Sequence, residues 1–95
     1  PFMSRTAESL AILDRLIPVL EALPREGDTE KILEEADALR RAVAAFHMEA
    51  IRFRMYNVDR MLKLAGNPTE ARTIFDELRQ ALERAGFHTR SHAAP

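Results

Sequence analysis

His47 is the residue whose type and setting most suggest chemistry. It lies in the apolar run "AAFHMEAIRFRMYNVDRML", and on a helix its neighbours at three and four residues are Val43, Ala44, Ala50 and Ile51. An imidazole on such a face has two functional uses, a pH-sensitive interface or a ligand to a bound group. The plainer use is a half-buried interface histidine with a satisfied hydrogen bond, and this is the use expected. Metal chemistry finds no support. Di-iron helical bundles need Glu-x-x-His on their helices, and the chain has neither that nor a His-Glu-x-x-His zinc motif. His88 and His92 have clamp spacing but lie beyond Gly86, in a stretch expected to be irregular. No cysteine is present, which removes thiolate nucleophiles, disulfides and Cys-ligated metals and suits a reducing cytoplasm. The few Ser and Thr sit near helix caps and the tail, with no strand-to-helix elbow and no Gly-rich phosphate loop. No catalytic residue, no metal and no cofactor is therefore expected.

A second cluster is cationic. Arg52, Tyr56, Arg60 and Lys63 share one side of a helix, where they could meet an anion, a phosphate backbone or an acidic partner. Glu49 precedes Arg52 by three and Asp59 precedes Lys63 by four, so the same residues also read as surface pairs. Tyr56 stands alone, without the aromatic interleaving that stacks bases. Net charge is −1, so no global field draws nucleic acid or an anionic membrane. Met48, Met55 and Met61 read as core or interface filler. Arg41 and His47, with five residues between them, resemble the Arg-x(4–6)-His signature of the helical HEPN ribonucleases. The resemblance covers seven residues, Ala42 stands where that family usually has a polar residue, and no role is carried over.

The elements that must hold these residues are helices. The chain has 95 residues, 46% hydrophobic and 31% charged, with no Trp and three Gly, which suits one helical domain. A first helix, about 4–23, starts at Ser4 or Thr6 and carries Leu10, Leu13, Leu16, Ile17, Leu20 and Leu23 on one face. Pro18 should kink it and Pro24 ends it. A second runs from Asp28 or Thr29 to Ala65, about 29–65, with Gly66 as its C-terminal cap. A third, about 68–85, opens with Asn67 as cap, Pro68 at the first position and Glu70 at the third, and ends at Gly86. Its buried face is Ala71, Ile74, Phe75, Leu78, Ala81, Leu82 and Ala85. No alternating strand pattern appears. The single domain spans 4–86. Residues 87–95 are expected to be a flexible tail, and residues 1–2 a remnant ahead of Met3.

The second helix poses a problem of length. Thirty-seven residues at about 1.5 Å each make roughly 55 Å. A 95-residue globule has a radius of gyration of about 12 Å and is about 32 Å across. Either the helix breaks or the core is shared with another chain. Neither Gly nor Pro lies between Glu30 and Ala65, so sharing is expected. Two apolar stripes agree: Ile32, Ala36, Leu39, Val43, Phe46, Ala50, Phe53, and Ala44, Met48, Ile51, Met55, Val58, Leu62, Ala65. They overlap near the middle, where one helical neighbour covers only one side. Residues 26–39 hold six acids against Lys31, a local −5; residues 40–63 hold six bases against Glu49 and Asp59, a local +4. An antiparallel pair sets acidic halves beside basic ones, although Arg40 would then approach the partner's Arg54.

The expected fold is thus all-α: a three-helix protomer with a long central helix, forming an antiparallel homodimer with a four-helix-bundle-like core. The expected interface is Val43, Ala44, Phe46, His47, Met48, Ala50, Ile51, Phe53 and Met55. The expected function is a non-catalytic, cytoplasmic interaction or scaffold module acting as a homodimer and binding an unidentified protein. The alternative is a small regulator that binds an anionic ligand or nucleic acid through the Arg52–Lys63 face. Nucleic acid and membrane are not the expected partners. No apolar run reaches the roughly 18–20 residues of a membrane span.

Overall fold

The apolar periodicity folds into four α-helices in a computed structural model that describes residues 5–89. They are α1 (Ala7–Glu21), α2 (Ile32–Ala44), α3 (Met48–Leu64) and α4 (Thr69–Arg84), with a 3₁₀ turn, Gly27–Thr29, between α1 and α2. The described residues contain no strand. Helix α1 packs on α4 and α2, while α3 lies chiefly on α2 and touches the 3₁₀ turn and α4. The core lies between them. Leu13, Leu16 and Leu20 of α1 meet Ile32, Leu39 and Val43 of α2, Ile51, Met55 and Leu62 of α3, and Phe75, Leu78 and Leu82 of α4, all fully buried. Each such side chain contributes about 1.5–3 kcal/mol by leaving water.

The three-helix protomer with an unbroken central helix is corrected. Helix α2 stops at Ala44 and α3 begins at Met48. The stop is a Schellman motif: the Phe46 amide donates to the Val43 carbonyl (3.1 Å) and the His47 amide to the Ala42 carbonyl (3.0 Å). The same pair of bonds ends α3, from Gly66 to Lys63 and Asn67 to Leu62, and α4, from Gly86 to Glu83 and Phe87 to Leu82. Glycine fills the left-handed position in those two, at φ +84° and +98°; in α2 phenylalanine fills it, at φ +58°. The absence of Gly and Pro from residues 30–65 therefore does not keep the helix whole. The break also removes the length problem. The chain has a radius of gyration of 12.6 Å and extents of 41 × 31 × 20 Å, with no place for a 55 Å rod. The four helices that the sequence argument assembled from two chains come from one.

Smaller expectations shift as well. Ser4 and the first two residues lie outside the described residues. Thr6 occupies the α1 cap position without a side-chain cap bond, and α1 continues through the exposed Pro18. Asn67 does not cap α4. It ends α3 at φ +53°, and its Oδ1 accepts from Arg72 Nε at 3.0 Å, so Pro68 precedes the first helical residue. The tail is docked where it starts: Phe87 and Thr89 are buried, and Thr89 Oγ1 accepts from Arg79 at 3.0 Å. Residues 90–95 lie outside the described residues.

Candidate functional site

Helix α3 carries most of the residues singled out from the sequence, and its two faces differ. Its start is fixed by His47, whose Nδ1 accepts from the Ala50 amide at 3.2 Å. An accepting Nδ1 requires the neutral ring protonated at Nε2. Ile51, Met55, Val58 and Leu62 follow at helical steps and point into the core. The opposite face repeats the same spacing with Glu49, Phe53, Tyr56, Arg60 and Leu64, all exposed. Phe53 is 57%, Tyr56 44% and Leu64 50% accessible, and with Phe46 they make up the exposed large hydrophobics among the described residues.

Two polar clasps hold this helix in place. On the α2 side, Arg54 donates to both oxygens of Glu35 (3.1 and 2.9 Å), and Asn57 donates to the same carboxylate (3.0 Å). The Arg54 guanidinium also lies 5.1 Å from the centre of the Phe53 ring, so one face of that ring is backed by a pinned cation. Glu35 of the acidic segment 26–39 and Arg54 of the basic segment 40–63, whose complementarity suggested two chains, meet within one. On the α4 side, Asp59 accepts from Arg72 at 2.8 Å and pairs with Lys63 at 3.0 Å. Burial acts to raise the Asp59 carboxyl, but the hydrogen bonds and charges of Arg72 and Lys63 outweigh it and hold the group below the usual carboxylate range. Arg72 and Arg79 each lie 5.4 Å from the centre of the Phe75 ring.

The expected interface residues separate. Val43, Ile51 and Met55 are wholly buried in the protomer's own core, so they offer no surface to another chain. This corrects their assignment, because the break lets these three residues of the two stripes turn inward within one chain. Met48 and Ala50 are partly buried against the core, as is Met61. Ala44, Phe46, His47 and Phe53 are exposed. His47 caps a helix instead of projecting from the middle of one. Arg41 pairs with Asp37 one turn away, so both residues of the Arg41–His47 spacing have structural partners.

Of the cationic set, Tyr56, Arg60 and Lys63 are exposed on the outer face and Arg52 is partly buried beside them. Lys63 is neutralised by Asp59. His88 is exposed, His92 lies outside the described residues, and the described residues contain no metal-binding group of His, Asp and Glu. No described helix is long and apolar enough to cross a membrane.

Two features were missed in the sequence. Leu64 extends the outer face by one turn and lines an open cleft of about 400 Å³ together with Leu23, Pro24 and Pro68. Its position eight residues after Tyr56 was the available signal. The other is a junction at the opposite end of α3. The Arg5 guanidinium donates to the Ala85 carbonyl and lies 5.9 Å and 5.5 Å from the ring centres of Phe46 and Phe87, which are themselves 6.3 Å apart. No local pattern joins residues 5, 46 and 87. No protein-family model, curated protein or solved structure matches the chain.

Proposed function

We propose that the protein is a non-catalytic helical interaction module that works through the outer face of α3. The observation that carries this reading is the exposure of Phe53, Tyr56 and Leu64 on one face, interleaved with Arg60 and Lys63. Apolar side chains scattered singly over a surface are ordinary, but a stripe aligned along one helix and rimmed by charge is the form a docking face takes. Aromatic residues and arginine are also the types enriched where proteins meet. The two clasps keep the face rigid, so a partner pays little ordering entropy.

Placing a photo-crosslinking amino acid at position 53, and separately at Gln80 on α4, tests the reading in cells that make the protein. Crosslinks to a macromolecule at 53 and none at 80 are expected. Equal yields at the two positions would remove the functional claim. The alternative, an anionic ligand or nucleic acid, draws support from the exposed Arg60. It is the weaker reading, since net charge is −1 and this face offers two exposed cations, Arg60 and Lys63, so few phosphates could be neutralised here. It requires binding that falls steeply with salt and is lost in Arg52→Ala/Arg60→Ala.

A further inference from the structure

We infer that the occupant of the α3 face is the same face of a second copy, paired antiparallel about a two-fold axis beside Tyr56. The inference rests on the reading of α3 as an interaction surface and names its partner. Charge order along the helix carries it. Glu49 stands at the N-terminal end of the stripe, and Arg60 and Lys63 at the C-terminal end. Neither Glu49 nor Arg60 enters an ion pair with a described residue. They are eleven residues apart on one helix, about 16 Å, too far to satisfy each other. A parallel pairing sets Glu49 on Glu49 and Arg60 on Arg60. With the axis beside Tyr56, an antiparallel pairing sets Glu49 against the partner's Lys63 and Phe53 against the partner's Arg60, a charge pair and a cation–π pair, each made twice. Lys63 can turn to Glu49 of the partner subunit because Asp59 keeps its bond to Arg72. Opposed helix dipoles favour the same direction.

Shape adds a second reason. The exposed Phe46 stands at the N-terminal end of α3, and the cleft of Leu23, Pro24, Leu64 and Pro68 at the C-terminal end. Antiparallel pairing brings each Phe46 toward the other chain's cleft, so the exposed large hydrophobics of the described residues are all used. The stripe from Glu49 to Leu64 is about 23 Å long and about 10 Å wide. Two such strips amount to about 460 Å², and the two Phe46–cleft contacts at the ends must supply the rest of the roughly 1,000 Å² that a specific interface needs. The dimer is therefore a weak one, with a micromolar Kd.

Sedimentation equilibrium of the full chain from 1 µM to 1 mM tests this. The mass should rise with concentration from 10.8 kDa toward twice that value. Phe53→Glu should raise Kd at least about tenfold with helicity and Tm unchanged. Glu49→Lys and Lys63→Glu should each weaken the dimer about three- to tenfold, and the double reversal should recover wild-type affinity within about threefold. A monomer throughout the range overturns the inference, as does dimerisation indifferent to Phe53→Glu or a double reversal no tighter than the singles. If the chain stays monomeric while position 53 still crosslinks to a different macromolecule, self-pairing fails and the interaction reading stands. If neither is seen, both fall.

Discussion

Replacing Phe46 by glycine and, separately, by alanine tests the fold where it departs from a continuous helix. Phe46 holds φ at +58° as the left-handed residue of a Schellman motif. A residue with a Cβ pays about 1 kcal/mol there relative to glycine, even after glycine's larger unfolded-state entropy is counted. Phe46 is 48% exposed, so its contacts with Phe87 and Arg5 hold about half of the roughly 1.5–3 kcal/mol of a buried aromatic, or about 1 kcal/mol. Phe46→Ala loses those contacts and keeps the strained backbone, so it should destabilise by about 1 kcal/mol. Phe46→Gly loses the same contacts and relieves the backbone, so it should lie close to wild type. Glycine is thus the more stable variant by about 1 kcal/mol. Within an unbroken helix the order reverses, because interior glycine is about 1 kcal/mol worse than alanine. The two architectures differ by about 2 kcal/mol in a single comparison of two variants. Urea titration reads the difference as a midpoint shift of about 0.5–1 M, and thermal unfolding as about 4–8 °C. An alanine variant more stable than the glycine variant would refute the break at Phe46.

His47→Ala should cost about 1 kcal/mol through loss of the α3 cap, and His47→Asn or His47→Ser should recover most of it; urea midpoints of the three variants check this. Met55→Ala should cost about 2–5 kcal/mol, since the side chain is fully buried within one chain, and the loss should be the same at low and high protein concentration, which an interface residue would not show. The Asp59 carboxyl is held below its ordinary value in the folded chain, so its contribution is present above the unfolded value and is lost as pH falls through the folded one, below about pH 4. The stability gap between wild type and Asp59→Asn should accordingly narrow from pH 7 to pH 3, and a constant gap would show that Asp59 is not coupled in this way.

Much of the architecture was readable from residue order. The 3.6-residue spacing of Ala71, Ile74, Phe75, Leu78, Ala81, Leu82 and Ala85 predicts the buried face of α4, and all are buried except Ala85, which is partly buried. The boundaries expected for that helix, 68–85, lie within one residue of Thr69–Arg84. Gly66 and Gly86 were legible as helix ends because a left-handed turn without a Cβ penalty leaves a glycine in the sequence. The end of α2 leaves no such mark. Phenylalanine is a poor residue for that backbone, and its presence there reflects contacts with Arg5 and Phe87, 41 residues away in each direction. The outer face of α3 was half legible. Of the expected cationic group Tyr56, Arg60 and Lys63 are exposed and Arg52 is partly buried, whereas Phe53, expected at an interface with a separate stripe, lies exposed beside them and Leu64 carries no signal of its own until that face is drawn. One helical stripe is as apolar as another until its neighbours are known.

By itself the sequence determined that the chain is helical, which residues are apolar on which period, and where glycine ends two helices. These are local properties, fixed by backbone geometry within a few residues. Only the tertiary structure decided that the middle of the chain folds back at Phe46, that Val43, Ile51 and Met55 are core, and that Glu35 meets Arg54 inside one chain. Turning the helix back lets residues 32–44 and 48–64 bury their apolar faces against each other, against α1 and against α4. That burial outweighs about 1 kcal/mol of left-handed backbone at one phenylalanine.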